Sequence, residues 1–202
     1  REKDGDGFSF IHGDIVPVRL GCAKKFTPCF DSFLTRSPVG LRIPSRYIMR
    51  PKCLSKLEVG DFSLLGYSVA GEESVVVAPE LDCVFDIGRC PREALPVNHV
   101  LLSHGHTDHF AGLPYYFAQR DFQGIAGGKV LLPARLAEPV HELMRIWGRI
   151  DGQQPPHEIV PMQAGEDYEI RRGLLVRTFS TKHRSDSLGY SVIEVRHKLK
   201  SE

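Results

Sequence analysis

Four residues with metal-binding side chains stand within six positions of one another near the middle of the chain: His104, His106, Asp108 and His109. They follow a short apolar run, residues 99–103, that predicts a strand. Side chains two positions apart in extended backbone point to the same side, so His104 and His106 can reach one cation together. Asp108 and His109 stand where the chain turns toward a helix, and they diverge toward a second position. A loop with surface histidines is the alternative, but four ligand-type residues in six positions favour a metal site.

Imidazole and carboxylate groups suit zinc, and also iron or manganese. Two such cations about 3.5–4 Å apart lower the pKa of a shared water and hold both oxygens of an in-line displacement. The segment therefore predicts an enzyme that carries out metal-dependent hydrolysis.

The elements that must position this segment are short strands with helices between them. Strands are predicted over Phe62–Val69, Ser74–Ala78, Leu81–Asp86, His99–Ser103, Lys129–Leu132, Leu174–Phe179 and Tyr190–Val195. Helices are predicted over Leu113–Arg120, with Pro114 in the first turn, and over Leu136–Ile150, where apolar residues follow the i, i+3, i+4, i+7 rule. This mixture indicates a layered α/β domain.

Composition is typical of a globular protein with one core. The chain has 202 residues, of which 42% are hydrophobic and 25% charged, and this length is too short for two typical domains. A net charge of +1 offers no overall attraction to nucleic acid or membrane. No apolar run approaches the ~20 residues that a membrane helix needs. Five scattered cysteines predict reduced thiols and a reducing compartment rather than a disulfide framework.

The first 57 residues differ from the rest. Residues 17–56 hold nine basic residues against one acidic residue and lack clear apolar periodicity. Three interpretations stay open: an organelle-targeting presequence, a basic arm for RNA, or a segment outside the protein with Met49 as its start. We predict a poorly ordered extension without a catalytic role over residues 1–57, followed by the domain over residues 58–202.

Beyond composition, four stretches resemble known proteins. His-x-His-x-Asp-His after a hydrophobic strand resembles the signature of the metallo-β-lactamase fold, an αββα sandwich with a dinuclear metal site at one edge. Residues 108–114, Asp-His-Phe-Ala-Gly-Leu-Pro, are similar to the DHxxGLP continuation of tRNase Z. His183, six residues before Gly189-Tyr190, resembles that family's third metal histidine. Residues 85–91 resemble the corresponding strand and turn of the short, plant-type form.

The resemblance implies a zinc-dependent endoribonuclease that removes the 3′ trailer of precursor tRNA with two Zn²⁺ ions, Mn²⁺ or iron being possible instead. His104, His106 and His183 would hold one metal, and Asp108 and His109 the other. Asp108 would also accept a proton from the nucleophile. The implied partner is precursor tRNA, with a homodimer when full length and no membrane. The expected location is the cytoplasm or another reducing compartment, with a plastid or mitochondrion as the alternative; substrate-binding residues stay unknown.

The chain also departs from the family's pattern. The bridging aspartate of a Gly-Asp-Thr motif and a final histidine are not found after His183. We therefore expect a chain that stops before the second half of the fold and is inactive alone. Two other functions stay open: a glyoxalase II-like hydrolase of a small ester, lactone or thioester, and a degenerate partner subunit that binds RNA without cutting it.

Four further residues lead to narrower expectations. Asp86 is predicted to hydrogen-bond backbone near the cluster or to support a ligand histidine, without binding metal itself. His99, His141 and His157 are predicted to be structural or to face solvent. For the third ligand, we expect Gly189-Tyr190 to begin a strand next to the one that leads into the cluster, which would bring His183 beside His104 and His106.

Overall fold

The computed structural model of the protein describes residues 16–20, 54–183 and 187–195. These residues form strands and helices in a mixed order. The strands are β1 (Val16–Leu20), β2 (Ser55–Val59), β3 (Phe62–Val69), β4 (Glu73–Ala78), β5 (Cys83–Ile87), β6 (His99–Leu101), β7 (Gly128–Pro133), β8 (His157–Met162), β9 (Asp167–Arg171), β10 (Leu174–Thr181) and β11 (Ser187–Glu194). The helices are α1 (Thr107–Phe110), α2 (Leu113–Phe122) and α3 (Ala137–Asp151).

The strands form two sheets. The larger has the order β2-β3-β4-β5-β6-β7-β8, antiparallel from β2 to β5 and parallel from β5 to β8. The smaller is antiparallel, with the order β1-β11-β10-β9. Parallel strands end at the same edge of a sheet, where ligands commonly bind in α/β proteins. The ends of β5 and β6 therefore lie side by side.

Both faces of the larger sheet are covered. Val100 and Leu102 pack with residues of α2 and α3, whereas Leu101 between them packs against the smaller sheet. β7 repeats this pattern with Val130 and Leu131. Such two-sided burial explains why these strands are continuous apolar runs rather than alternating ones. Among the described residues, the layers run helix, sheet, sheet.

Sequence-based prediction succeeded best for the central strands. The predicted strand at residues 81–86 is shifted, because Asp82 adopts a left-handed φ of 52° and β5 begins only after it. β8 and β9 were missed. They lie at the edges of their sheets, where β8 carries Pro161 and β9 alternates polar and half-buried side chains. Edge strands of this kind lack the apolar signal on which the prediction depends.

One strand falls inside the predicted extension at residues 1–57, and a second begins there. β1 pairs with β11, and β2 begins three residues before the predicted domain boundary and pairs with β3. The structure therefore differs from the prediction at these places, since backbone pairing orders residues that carry no clear apolar pattern. Residues 1–15 and 21–53 lie outside the described residues, so a poorly ordered extension there stays a prediction.

Arg120 connects the segments that precede β6 and β7 through hydrogen bonds. Its side chain is fully buried, and the guanidinium donates to the backbone carbonyls of Leu95 (2.6 Å), Val97 (2.8 Å) and Ala126 (2.6 Å) and to Oδ1 of Asn98 (2.6 Å). Five donors in a rigid fork suit this task, which a lysine cannot perform. The strand whose end carries the histidine cluster is thus held at its start.

Replacing Arg120 with methionine should lower the free energy of unfolding by about 2–4 kcal/mol, because the carbonyls of Leu95 and Ala126 and the side-chain oxygen of Asn98 lose this donor. Urea denaturation followed by circular dichroism measures this change. Arg149→Met is the matched control: Arg149 lies exposed in the last turn of α3, and its replacement should change stability by less than about 0.5 kcal/mol. Equal stability of the two variants would contradict the role given to Arg120.

Candidate metal centre

Three histidines from two distant parts of the chain converge at the end of β6. His104, His106 and His183 each offer a ring nitrogen, and these atoms lie within 4.8 Å of one another. Nε2 of His183 and Nδ1 of His106 are 3.3 Å apart. Zinc–nitrogen bonds of about 2.0–2.1 Å in a tetrahedral site separate neighbouring donors by about 3.3 Å. The three nitrogens therefore suit one shared cation.

His104 is the buried member of this set. Its Nδ1 lies 2.8 Å from Oγ of Ser103, whereas its buried Nε2 has no hydrogen-bond partner among the residues that the structure describes. Burial and the nearby His109 ring lower the pKa of His104 to about 4, which favours the neutral ring that a metal requires. A buried nitrogen lone pair beside two other imidazoles fits a metal ligand better than a core histidine, which would normally have a partner.

The hairpin of β10 and β11 brings His183 to the cluster. In this hairpin Gly189 lies opposite Phe179, and a Cβ at residue 189 would stand 2.3 Å from the Phe179 ring. The hydroxyl of Tyr190 donates to the carbonyl of Leu102 at 2.7 Å. β11 was expected next to β6, but it belongs to the smaller sheet and reaches the end of β6 across the sandwich. Tyr190 lies within this strand rather than at its start.

Asp108 and His109, both partly buried, form a second group of donors beside the first. Nε2 of His109 and Oδ2 of Asp108 are 3.5 Å apart, and the His104 and His109 rings lie 4.2 Å apart between centroids. The backbone N–H of Gly71 donates to Oδ2 of Asp108 at 2.9 Å. Burial by itself raises the pKa of Asp108, but this hydrogen bond and the neighbouring histidines lower it below its usual value. Asp108 is therefore ionised, as a ligand must be.

Asp86 supports the cluster from the neighbouring strand. Its Oδ2 accepts a hydrogen bond from Nδ1 of His109 at 2.7 Å, and its Oδ1 accepts from the backbone N–H of Ser103 at 2.8 Å. Burial by itself lowers the pKa of His109, but the hydrogen bond and charge of Asp86 raise it above its usual value. Both predicted roles of Asp86, contact with nearby backbone and support of a histidine, are confirmed.

Gly112 explains part of the DHxxGLP motif in physical terms. Its N–H donates to the carbonyl of Gly88 at 2.7 Å, and the N–H of Gly88 donates to the carbonyl of His109 at 3.1 Å. A Cβ at residue 112 would lie 2.4 Å from the backbone nitrogen of Cys90. Only glycine allows this approach. It seats the segment with Asp108 and His109 against the turn that follows β5.

The other predicted histidines lie outside the cluster. His99 is buried with its Nδ1 3.0 Å from the carbonyl of Asp82, and Nδ1 of His157 contacts the carbonyl of Pro155 at 2.8 Å. His141 is exposed on α3. These contacts agree with the structural or solvent-facing roles expected for them.

The sequence analysis did not identify two residues that support the site. Gly71 and Ser103 hold Asp108 and His104 through hydrogen bonds. Gly71 is 37 residues away from Asp108, and nothing in the local sequence indicates that the two residues meet. Ser103 immediately precedes the motif, and its hydroxyl was the one signal that could have been used.

The cluster and the layered sheets define a class of protein. A family model described as "Beta-lactamase superfamily domain" matches residues 81–199, more than half of the chain, which places it in this superfamily and confirms the predicted metallo-β-lactamase fold class.

Three relatives narrow the assignment. "Nuclear ribonuclease Z" of Triticum aestivum is 38% identical over 151 residues, covering 75% of this chain and 86% of that protein. "tRNase Z TRZ2, chloroplastic" of Arabidopsis thaliana is 38% identical over 146 residues, covering 72% and 41%. "tRNase Z TRZ1" of the same plant is 34% identical over 146 residues, covering 72% and 52%. This chain belongs to the ribonuclease Z family, and it spans about half the length of the two Arabidopsis relatives.

Proposed function

We propose that the full-length protein is a zinc-dependent endoribonuclease that removes the 3′ trailer of precursor tRNA. One observation carries the proposal: in a chain of the ribonuclease Z family, His183 lies beside the paired His104 and His106, with Asp108 and His109 adjacent. The names of the relatives support ribonuclease activity, and those of the two Arabidopsis proteins specify tRNA.

His104, His106 and His183 are the proposed ligands of a first zinc ion, and Asp108 and His109 those of a second, with Mn²⁺ or iron as alternatives. Support comes from the nitrogen spacing, from the buried Nε2 of His104, which has no partner within the described ranges, and from the short separation of the Asp108 and His109 donors. When bound, the metal pair supplies an activated water and neutralises charge on the phosphate.

The side chains of the chain itself have separate tasks in this proposal. Asp108 is the proposed proton acceptor for the nucleophile, and its lowered pKa keeps its carboxylate ionised. Gly71 orients Asp108 by donating to Oδ2, which leaves Oδ1 for the proton. Asp86 orients His109 from the side away from Asp108.

The direct experiment assays the zinc-loaded full-length protein on a precursor tRNA with a 3′ trailer, and in parallel on a glyoxalase-type thioester and a lactone. Cleavage of the RNA at the end of the mature tRNA is expected, with a 3′-hydroxyl on the tRNA and a 5′-phosphate on the trailer. A His104→Ala variant should lose cleavage, whereas His141→Ala, which removes an exposed histidine of α3, should retain it. Hydrolysis of the thioester or lactone without any RNA cleavage would overturn the proposal.

Partners and location are proposed with the activity. We propose precursor tRNA as the partner and a homodimer of the full-length protein, which light scattering can test. Among the described residues, no helix is long and apolar enough to cross a membrane. The cytoplasm or another reducing compartment is proposed, with a plastid or mitochondrion as the alternative. Cys83 and Cys90 are free, buried thiols, which suits a reducing compartment, and the chloroplastic relative supports the plastid.

A further inference from the structure

The backbone at Asp86 is distorted in a way that aims its side chain at the cluster. In the pairing of β4 with β5, Val75 lies opposite Ile87 and Val76 opposite Phe85, so Asp86 is the extra residue of a β-bulge. Its φ is +53°, in the left-handed region that costs free energy for residues other than glycine. Bulges next to functional sites commonly redirect one side chain, and such strain persists only where the surroundings enforce it.

The carboxylate reaches both groups of donors. Oδ2 accepts from Nδ1 of His109 at 2.7 Å, while the hydroxyl of Ser103 lies 2.9 Å from each carboxylate oxygen. The same hydroxyl lies 2.8 Å from Nδ1 of His104. One carboxylate therefore contacts His109 directly and His104 through a serine.

These contacts determine which ring nitrogen carries the proton. A carboxylate only accepts hydrogen bonds, so Nδ1 of His109 must be the donor and Nε2 keeps its lone pair toward Asp108. The single proton of the Ser103 hydroxyl goes to the carboxylate, so the hydroxyl oxygen accepts from Nδ1 of His104. Nε2 of His104 is left with a lone pair, at a buried position where the described part of the chain offers it no hydrogen-bond partner.

We propose that Asp86 is a positioning residue that sets the tautomers of His104 and His109 together, directly for His109 and through Ser103 for His104. This inference rests on the proposed metal ligands. It makes Asp86 the common support of the two groups of donors, and it assigns Ser103 a role that its position beside the motif does not reveal.

The first test uses the metal-free 202-residue chain labelled with ¹⁵N. Long-range ¹H–¹⁵N correlation spectra at about pH 9, where imidazoles are neutral, report which ring nitrogen carries the proton. His104 and His109 are expected to carry it on Nδ1. Finding it on Nε2 of either ring in the unsubstituted chain would overturn the inference, whatever the protein's activity.

Two variants test the direct contact with His109 and the contact with His104 through Ser103 separately. Asp86→Asn keeps the size of the side chain and tolerates the left-handed backbone. Its one oxygen is expected to stay with the fixed N–H of Ser103, so its amide N–H faces Nδ1 of His109 and moves that ring's proton to Nε2. Ser103→Ala instead removes the partner of His104 and leaves the contact between Asp86 and His109 in place.

The expected spectra and zinc affinities therefore differ. Asp86→Asn should shift the ring signals of His109 alone, because its oxygen still accepts from the Ser103 hydroxyl, and it should weaken a second zinc equivalent by about 10–100-fold, the usual cost of losing an outer partner. Asp86→Ala removes this oxygen as well and should shift the ring signals of both His104 and His109. Ser103→Ala should shift His104 alone and weaken the first equivalent by a similar factor. Chelator-competition titrations measure both affinities. If the unsubstituted chain binds zinc and the variants bind it with unchanged affinity, this inference alone is contradicted. If the unsubstituted chain binds no zinc, the proposed metal site itself is contradicted.

Discussion

Replacing Asp108 with alanine in the full-length protein is expected to lower cleavage of a precursor tRNA by at least about 10²–10⁴-fold, the usual contribution of general base catalysis alone. The change removes both a proposed metal ligand and the proposed proton acceptor. RNA binding should change little, because contacts to phosphate come mainly from lysine, arginine and backbone N–H groups. Cleavage rates and gel-shift affinities measured side by side on the same RNA provide the comparison.

Asp151→Ala is the matched control, since Asp151 lies exposed at the end of α3. It should leave both rate and affinity unchanged. A loss of RNA binding equal to the loss of cleavage in Asp108→Ala would show that Asp108 contributes to substrate affinity or folding. Retained cleavage would remove Asp108 from the catalytic assignment.

The 202-residue chain, purified and dialysed against metal-free buffer, should retain close to one zinc ion, and His183→Ala should retain almost none. Three nitrogen donors converge at His104, His106 and His183, whereas the neighbouring group, as far as the described residues show, consists of Asp108 and His109. Removing a direct ligand should weaken binding by more than the roughly 10–100-fold that an outer partner is worth. Elemental analysis of protein and zinc in the same sample measures the ratio.

His141→Ala controls for the general loss of a histidine and should leave the zinc ratio unchanged. Two tightly held ions in the unsubstituted chain would contradict the ranking of the two groups. Full zinc retention by His183→Ala would contradict the assignment of the third ligand and leave His183 as a neighbour without a role in binding.

Local sequence patterns were sufficient to predict most of the strands and helices. Apolar runs predicted β3, β4, β6, β7, β10 and β11, and the 3.6-residue period predicted α3, because each of these elements buries a face in one of the two cores. β8 and β9 were missed because nearly all of their side chains are exposed or half-buried, so their sequences carry no clear apolar signal. Pairing between β1 and β11 joins residues more than 160 positions apart, and no local pattern encodes such a partner.

The candidate site likewise has residues that the sequence identified and contacts that only the structure showed. By itself the sequence determined that His104, His106, Asp108 and His109 form one group, since their spacing on a strand end constrains them within a few ångströms. Resemblance to a family added His183. Only the tertiary structure decided how Asp86 serves two histidines and that Gly71 orients Asp108. Those contacts depend on a β-bulge and on the approach of a distant turn, and both arise from the packing of whole strands rather than from neighbouring residues.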